Sequence, residues 1–123
     1  MDQLLLNKAF MSKTGCLKLQ CNEKTKSIYL HAGKKQTDNS WAWTKTKIGD
    51  DEAGHILNVL SGFVDKISFF HKFQDQTKRT WINKDDKGLL WVRIEETKKS
   101  LSPGEQQVFK ILLERAIIAC NAA

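Results

Sequence analysis

The chain has 123 residues, 41% of them hydrophobic and 28% charged, with one proline and three cysteines. That composition fits one globular domain over residues 1–123 and excludes a disordered chain or a disulfide-stapled miniature. No apolar run approaches the length of a membrane span, and Leu4, Leu5 and Leu6 give way to Asn7 and Lys8 too early for the apolar core of a signal peptide.

The net charge of +6 falls wholly within residues 1–48, which hold 9 basic and 3 acidic residues against 11 of each in residues 49–123. A basic excess so placed predicts a polyanionic partner. An odd cysteine count in a chain large enough to fold without bridges predicts a reducing, intracellular setting, cytoplasm or nucleoid.

Residues 1–13 read either as a short helix or as an apolar N-terminal arm. From Gly15 the period becomes two: Leu17, Leu19 and Cys21 alternate with Cys16, Lys18 and Gln20. After a polar turn, Ile28, Leu30 and Ala32 alternate with Tyr29, His31 and Gly33. A third strand over 40–48 sets Trp41, Trp43, Lys45 and Lys47 against Ala42, Thr44, Thr46 and Ile48. Acidic Asp50, Asp51 and Glu52 then open a helix over 50–61, closed by Gly62. Alternation returns in Ile67, Phe69, His71 and Phe73 against Lys66, Ser68, Phe70 and Lys72. It continues in Thr80 and Ile82 against Arg79, Trp81 and Asn83. Beyond an Asp85-Asp86-Lys87-Gly88 turn, Leu90, Val92 and Ile94 alternate with Trp91, Arg93 and Glu95. Ser102, Pro103 and Glu105 form a capping-box entry to a helix over 103–120. The fold class is α+β: a curved antiparallel sheet of about six strands in βββα-βββα order, with both helices packed on one face.

Sorting the strands by face gives a core side of Ile28, Leu30, Ala32, Ala42, Ile48, Ile67, Phe69, Phe73, Ile82, Leu90, Val92 and Ile94. The other side carries Tyr29, His31, Trp41, Trp43, Lys45, Lys47, Lys66, Phe70, Lys72, Arg79, Trp81, Trp91 and Arg93. All four tryptophans fall on this second side, among cations. A single outward tryptophan is often an interface residue. Four of them interleaved with lysine and arginine suit single-stranded nucleic acid, whose bare bases stack on rings while cations follow the phosphates. Duplex DNA hides its base faces. A membrane-surface element would set its apolar groups on a helix face.

Other chemistry is thinly represented. Cys16 and Cys21 lie on opposite strand faces and form no zinc pattern with Cys120 or the three histidines. His71 sits on the core side as a satisfied buried or edge histidine, and Asp85 and Asp86 read as turn residues. There is no glycine-rich phosphate loop and no nucleophile–histidine–acid set. The expectation is a non-enzyme with no catalytic residues, no metal and no cofactor. The helix at 103–120 is apolar nearly all round through Val108, Phe109, Ile111, Leu112, Leu113, Ala116, Ile117, Ile118 and Ala119. It is either deeply buried or a homo-oligomer interface, dimer or larger.

Sheet-helix repeats with an aromatic-basic sheet face resemble the Whirly, Pur-alpha and coactivator-type single-stranded nucleic-acid binders. The stretch from Lys47 to Ile117 is more specifically similar to the ThermoDBP-type archaeal single-stranded DNA-binding proteins. The similar parts are Gly49-Asp50-Asp51-Glu52, Ile67-Ser68-Phe69-Phe70-His71-Lys72 and Leu101-Ser102-Pro103-Gly104-Glu105. The resemblance implies a homo-oligomer with a basic aromatic cleft and little base specificity. The function expected from residues and resemblance together is sequence-tolerant binding of single-stranded DNA or RNA, with DNA favoured. The alternative is a protein-interaction module whose tryptophan-rich face docks a partner.

Overall fold

The computed structural model describes residues 4–122 and, within them, every side chain but that of Phe73. The expected core position of Phe73 and the first three residues of the N-terminal arm lie outside the described residues. The chain is α+β, and among the described residues it has eight strands in two sheets rather than about six in one. β1 (Leu6–Met11), β2 (Gly15–Asn22), β3 (Ser27–Lys35) and β4 (Trp41–Ile48) form the first sheet in that order. Helix α1 (Asp50–Leu60) follows. β5 (Lys66–Phe73), β6 (Gln76–Lys84), β7 (Leu90–Ile94) and β8 (Thr97–Leu101) form the second sheet, and α2 (Pro103–Asn121) closes the fold. Every neighbouring pair is antiparallel.

The described part of the arm belongs to a strand, because Leu6 and Phe10 bury their side chains while pairing with Cys21 and Leu17. The alternation of β1 is hidden by exposed Lys8, which lies between them. β8 was hidden too. Its turn, Glu95–Glu96, is a two-residue hairpin without glycine, and Glu95 takes a φ of 55° that glycine or asparagine normally supplies. The single sheet divides because β4 and β5 pair only with their own hairpin partners, with α1 between them in sequence.

The sheets meet where β2 and β3 pack on β8, and β3 and β4 on β7. The helices therefore do not share one face of one sheet: α2 lies on β1, β2 and β3 and reaches β8, whereas α1 lies on β5, β6 and α2. One core joins all four layers, with Leu17, Leu19 and Leu30 from the first sheet, Ile82, Leu90 and Val92 from the second, and Ile56, Phe109 and Leu113 from the helices. Phe10 meets Phe109 edge-to-face at 6.0 Å. Both helix entries form as the residues dictate. Glu52 accepts the Gly49 N–H at 2.9 Å, and Ser102 and Glu105 exchange hydrogen bonds of 3.0 and 3.2 Å.

The core side departs from expectation at the sheet margins. Ala42 is exposed, because the β3–β4 tip runs past the core where Lys34 and Lys35 are also exposed. Ile67 and Phe69 are only half-buried, because β5 is an edge strand.

Candidate nucleic-acid interface

Strand register places the outward residues in rows. On the first sheet Lys45, His31 and Lys18 stand side by side across β4, β3 and β2. Lys47, Tyr29 and Gln20 form the next row, and Trp43, Gly33 and Cys16 the row on the other side, where Gly33 and Cys16 are themselves buried. On the second sheet Trp81, Arg93 and Lys98 form one row, beside Lys66, Asn83 and Trp91. Phe70 pairs with Arg79, and Lys72 with Thr77.

The thirteen expected residues therefore lie outward but do not share one surface. Tyr29, His31, Trp41, Trp43, Lys45 and Lys47 make one face, and Lys66, Phe70, Lys72, Arg79, Trp81, Trp91 and Arg93 another. The single continuous face is a correction that follows from the division into two sheets.

Cations cover the rings. Lys18 Nζ stands 4.3 Å from the Trp43 ring centroid, and Lys45 Nζ stands 4.8 Å from that of Tyr29. Arg93 lies 4.6 Å and Arg79 5.7 Å from Trp81, and Arg79 also reaches Phe70 at 5.9 Å. Lys98 lies 5.2 Å from Trp91. Trp41 stacks on Trp43 at 5.8 Å, with 26° between the planes. Trp43 is 40% exposed and Phe70 61%.

Lys18 and Lys98 were missing from the sequence-based set. The outward position of Lys18 was readable from its alternation with Leu17 and Leu19. That of Lys98 was not, because β8 itself was hidden.

Not every ring is equally free. The Trp91 indole N–H donates to Asp85 Oδ2 at 2.9 Å, and the same carboxylate accepts from the Leu89 and Lys87 N–H groups. The Trp91 bond, then the backbone bonds, hold the Asp85 carboxyl below the usual carboxylate range. Asp85 is thus the turn residue expected, and Trp91 is tied to it.

His31 is pushed down to about 4, first by burial and then by Lys45 and Lys18. It is neutral at pH 7, and its buried Nε2 has no partner among the described residues. The positive charge of this face comes from the lysines.

His71 is satisfied, as expected, between Thr46 Oγ1 at 2.8 Å and the Glu52 carboxylate at 2.6 Å. That chain ties β4, β5 and α1 together. Cys21 and Cys120 bring their sulfurs to 3.7 Å, with Cys16 apart from them. Among the described residues no three His, Cys, Asp or Glu side chains cluster as a metal site, and no helix is long and apolar enough to cross a membrane.

No protein-family model matches the chain, and no curated protein matches it.

Proposed function

We propose that the protein binds single-stranded nucleic acid, DNA or RNA, with little sequence preference, through the outward faces of its two sheets. The observation that carries this reading is the pairing of Tyr29, Trp43, Phe70, Trp81 and Trp91 each with a lysine or arginine over its ring. An exposed cation–π contact is worth about 0.5–1 kcal/mol, whereas a stacked base is worth roughly 1–3 kcal/mol. A base therefore displaces the cation from the ring, and the displaced ammonium or guanidinium swings to the adjoining phosphate. Such a surface reads neither base edges nor the 2′-hydroxyl. In an electrophoretic mobility assay, single strands of any composition should shift the protein and duplex should compete poorly. Equal competition by duplex would overturn the reading.

The protein acts as a dimer in this proposal. The outer side of α2 exposes Val108 by 43%, Ile111 by 64% and Ile118 by 65%, with Glu114 and Arg115 also exposed between the two isoleucines. A second copy laid antiparallel about a twofold axis between residues 114 and 115 sets Ile111 opposite Ile118. The same operation sets Glu114 opposite Arg115, twice over. An isologous contact requires that self-complementarity of charge and apolar surface. The helix is thus core on one side, through Phe109, Leu113 and Ala116, and free for a partner copy on the other.

A further inference from the structure

The two aromatic faces are separated by the sheet division, yet a groove runs between them. It opens between β4 and the β5–β6 hairpin and encloses about 770 Å³. Tyr29, Lys45 and Lys47 line it from the first sheet, and Lys72, Gln76 and Lys78 from the second. Four of those six residues belong at the same time to an aromatic face. Tyr29, Lys45 and Lys47 continue the rows that hold Trp43, and Lys72 shares its side of β5 with Phe70. The Lys78 ammonium donates to the Lys45 carbonyl at 2.9 Å and holds the hairpin against β4.

The charge of the groove is one-sided. Among the described residues four lysines rim it, and the one carboxylate that lines it, Glu52, is already taken up by His71 and by the Gly49 N–H. The second junction between the sheets, lined by Gly33, Lys34, Trp91 and Lys98, is about half the size at 400 Å³ and carries Glu96.

We infer that this lysine-rimmed groove carries the phosphodiester backbone of one nucleic-acid strand from the first sheet to the second, so that a single strand occupies both aromatic faces of one protomer. The inference rests on the single-strand reading above and specifies the path. The first face offers Trp43 and Tyr29 for stacking, the groove carries the phosphates between Lys47 and Lys72, and the second face receives the strand at Phe70, Arg79 and Trp81. Linking two modest sites in this way raises affinity without any new contact, because the second engagement becomes intramolecular.

The test compares short and long oligo-dT on the full-length protein, by tryptophan quenching at fixed salt. A short oligomer that covers one face should saturate at two per protomer, and a long one at one per protomer. The long oligomer should bind on the order of 100-fold more tightly, the lower end of the usual gain from linkage. The double variant Gln76→Glu/Lys78→Glu cancels the net positive charge of the groove lining and removes none of the rings. Because Lys78→Glu also removes the bond to the Lys45 carbonyl, Gln76→Glu alone, which keeps that bond, is measured beside it and should reduce the length gain in the same direction. The double variant should bind the short oligomer as the wild type does, with the length gain reduced below about tenfold. If the short oligomer binds and the length gain is absent, or survives the double variant, the faces are separate sites and this path is wrong. If no oligomer of any length quenches the tryptophans, the single-strand reading itself fails.

Discussion

Trp43 lies flat on Gly33. A Cβ added to Gly33 would stand 2.6 Å from the Trp43 ring, closer than packed carbon atoms come. The glycine in β3 is what lets the indole on β4 rest on the sheet with Trp41 stacked against it. Gly33→Ala should force Trp43 off the sheet. Overpacking costs about 1–3 kcal/mol in a rigid core, but this ring can swing into solvent, so stability should fall at the low end of that range. Trp43 emission should move to the red, and single-strand affinity should fall with it. An unchanged emission spectrum would mean that the ring does not rest on Gly33.

Stacking and charge separate by salt dependence. Trp43→Ala or Trp81→Ala should each cost roughly 1–3 kcal/mol in single-strand binding and leave the salt slope unchanged, because no phosphate contact is lost. Lys45→Ala or Lys47→Ala should cost less and make the log–log slope shallower by about 0.7. Titrations at several salt concentrations read both quantities. A tryptophan variant that flattens the slope would mean that phosphates, not bases, lie at the rings.

Thermal melts test the division into outside and inside. Trp43→Ala should lower stability only modestly, about as much as Gly33→Ala does, because the ring is 40% exposed and loses only its rest on Gly33 and its stack with Trp41. Phe109→Ala removes a fully buried ring and should cost about 3–5 kcal/mol. Phe69, half-buried on the edge strand β5, should cost less than Phe109 when truncated. A Trp43→Ala variant that unfolds while Phe109→Ala does not would reverse the assignment of faces.

His31 ties stability to pH. Its folded value of about 4 lies below the ordinary 6.5, so folding opposes protonation of this ring. Above pH 6.5 the ring is neutral in both states and nothing is lost. Between 6.5 and 4 the unfolded chain takes up a proton that the folded chain refuses, and stability falls. Denaturant melts across that window should show a steeper loss for the wild type than for His31→Gln. Equal slopes would mean that His31 titrates normally in the fold.

The helix contact is open to a charge swap. Light scattering should give twice the 14.1 kDa chain mass for the wild type. Ile118→Glu should give a monomer or an insoluble chain. Glu114→Arg or Arg115→Glu alone should weaken the dimer, and both together should restore it, because the twofold sets each opposite the other. A soluble wild-type monomer at micromolar concentration would leave α2 with no partner copy.

What was legible in the sequence follows from the range of each signal. Period two placed Tyr29, Trp43, Lys45, Arg79 and Trp81 outward, because alternation is local and one register slip would bury the cations. The acidic first turn at 50–52 and the capping box of Ser102 and Glu105 placed the two helix starts for the same reason. β1 and β8 were hidden by Lys8 and Lys99, which lie in rows that the pattern reserves for apolar residues, and by a Glu95–Glu96 turn without its usual glycine. Nothing local states that β4 and β5 do not pair. The division into two sheets, the groove between them and the Thr46–His71–Glu52 chain all depend on that long-range fact.

The most direct test of the central claim is a titration of tryptophan emission with oligo-dT and with duplex DNA at two salt concentrations. Single-strand binding on the aromatic faces should give strong quenching by the single strand, weak quenching by the duplex, and an affinity that falls as salt rises, by a log–log slope of about −0.7 per phosphate contact. Emission that stays unquenched by the single strand, with no response to salt, would contradict it and leave the aromatic faces as docking surfaces for another protein.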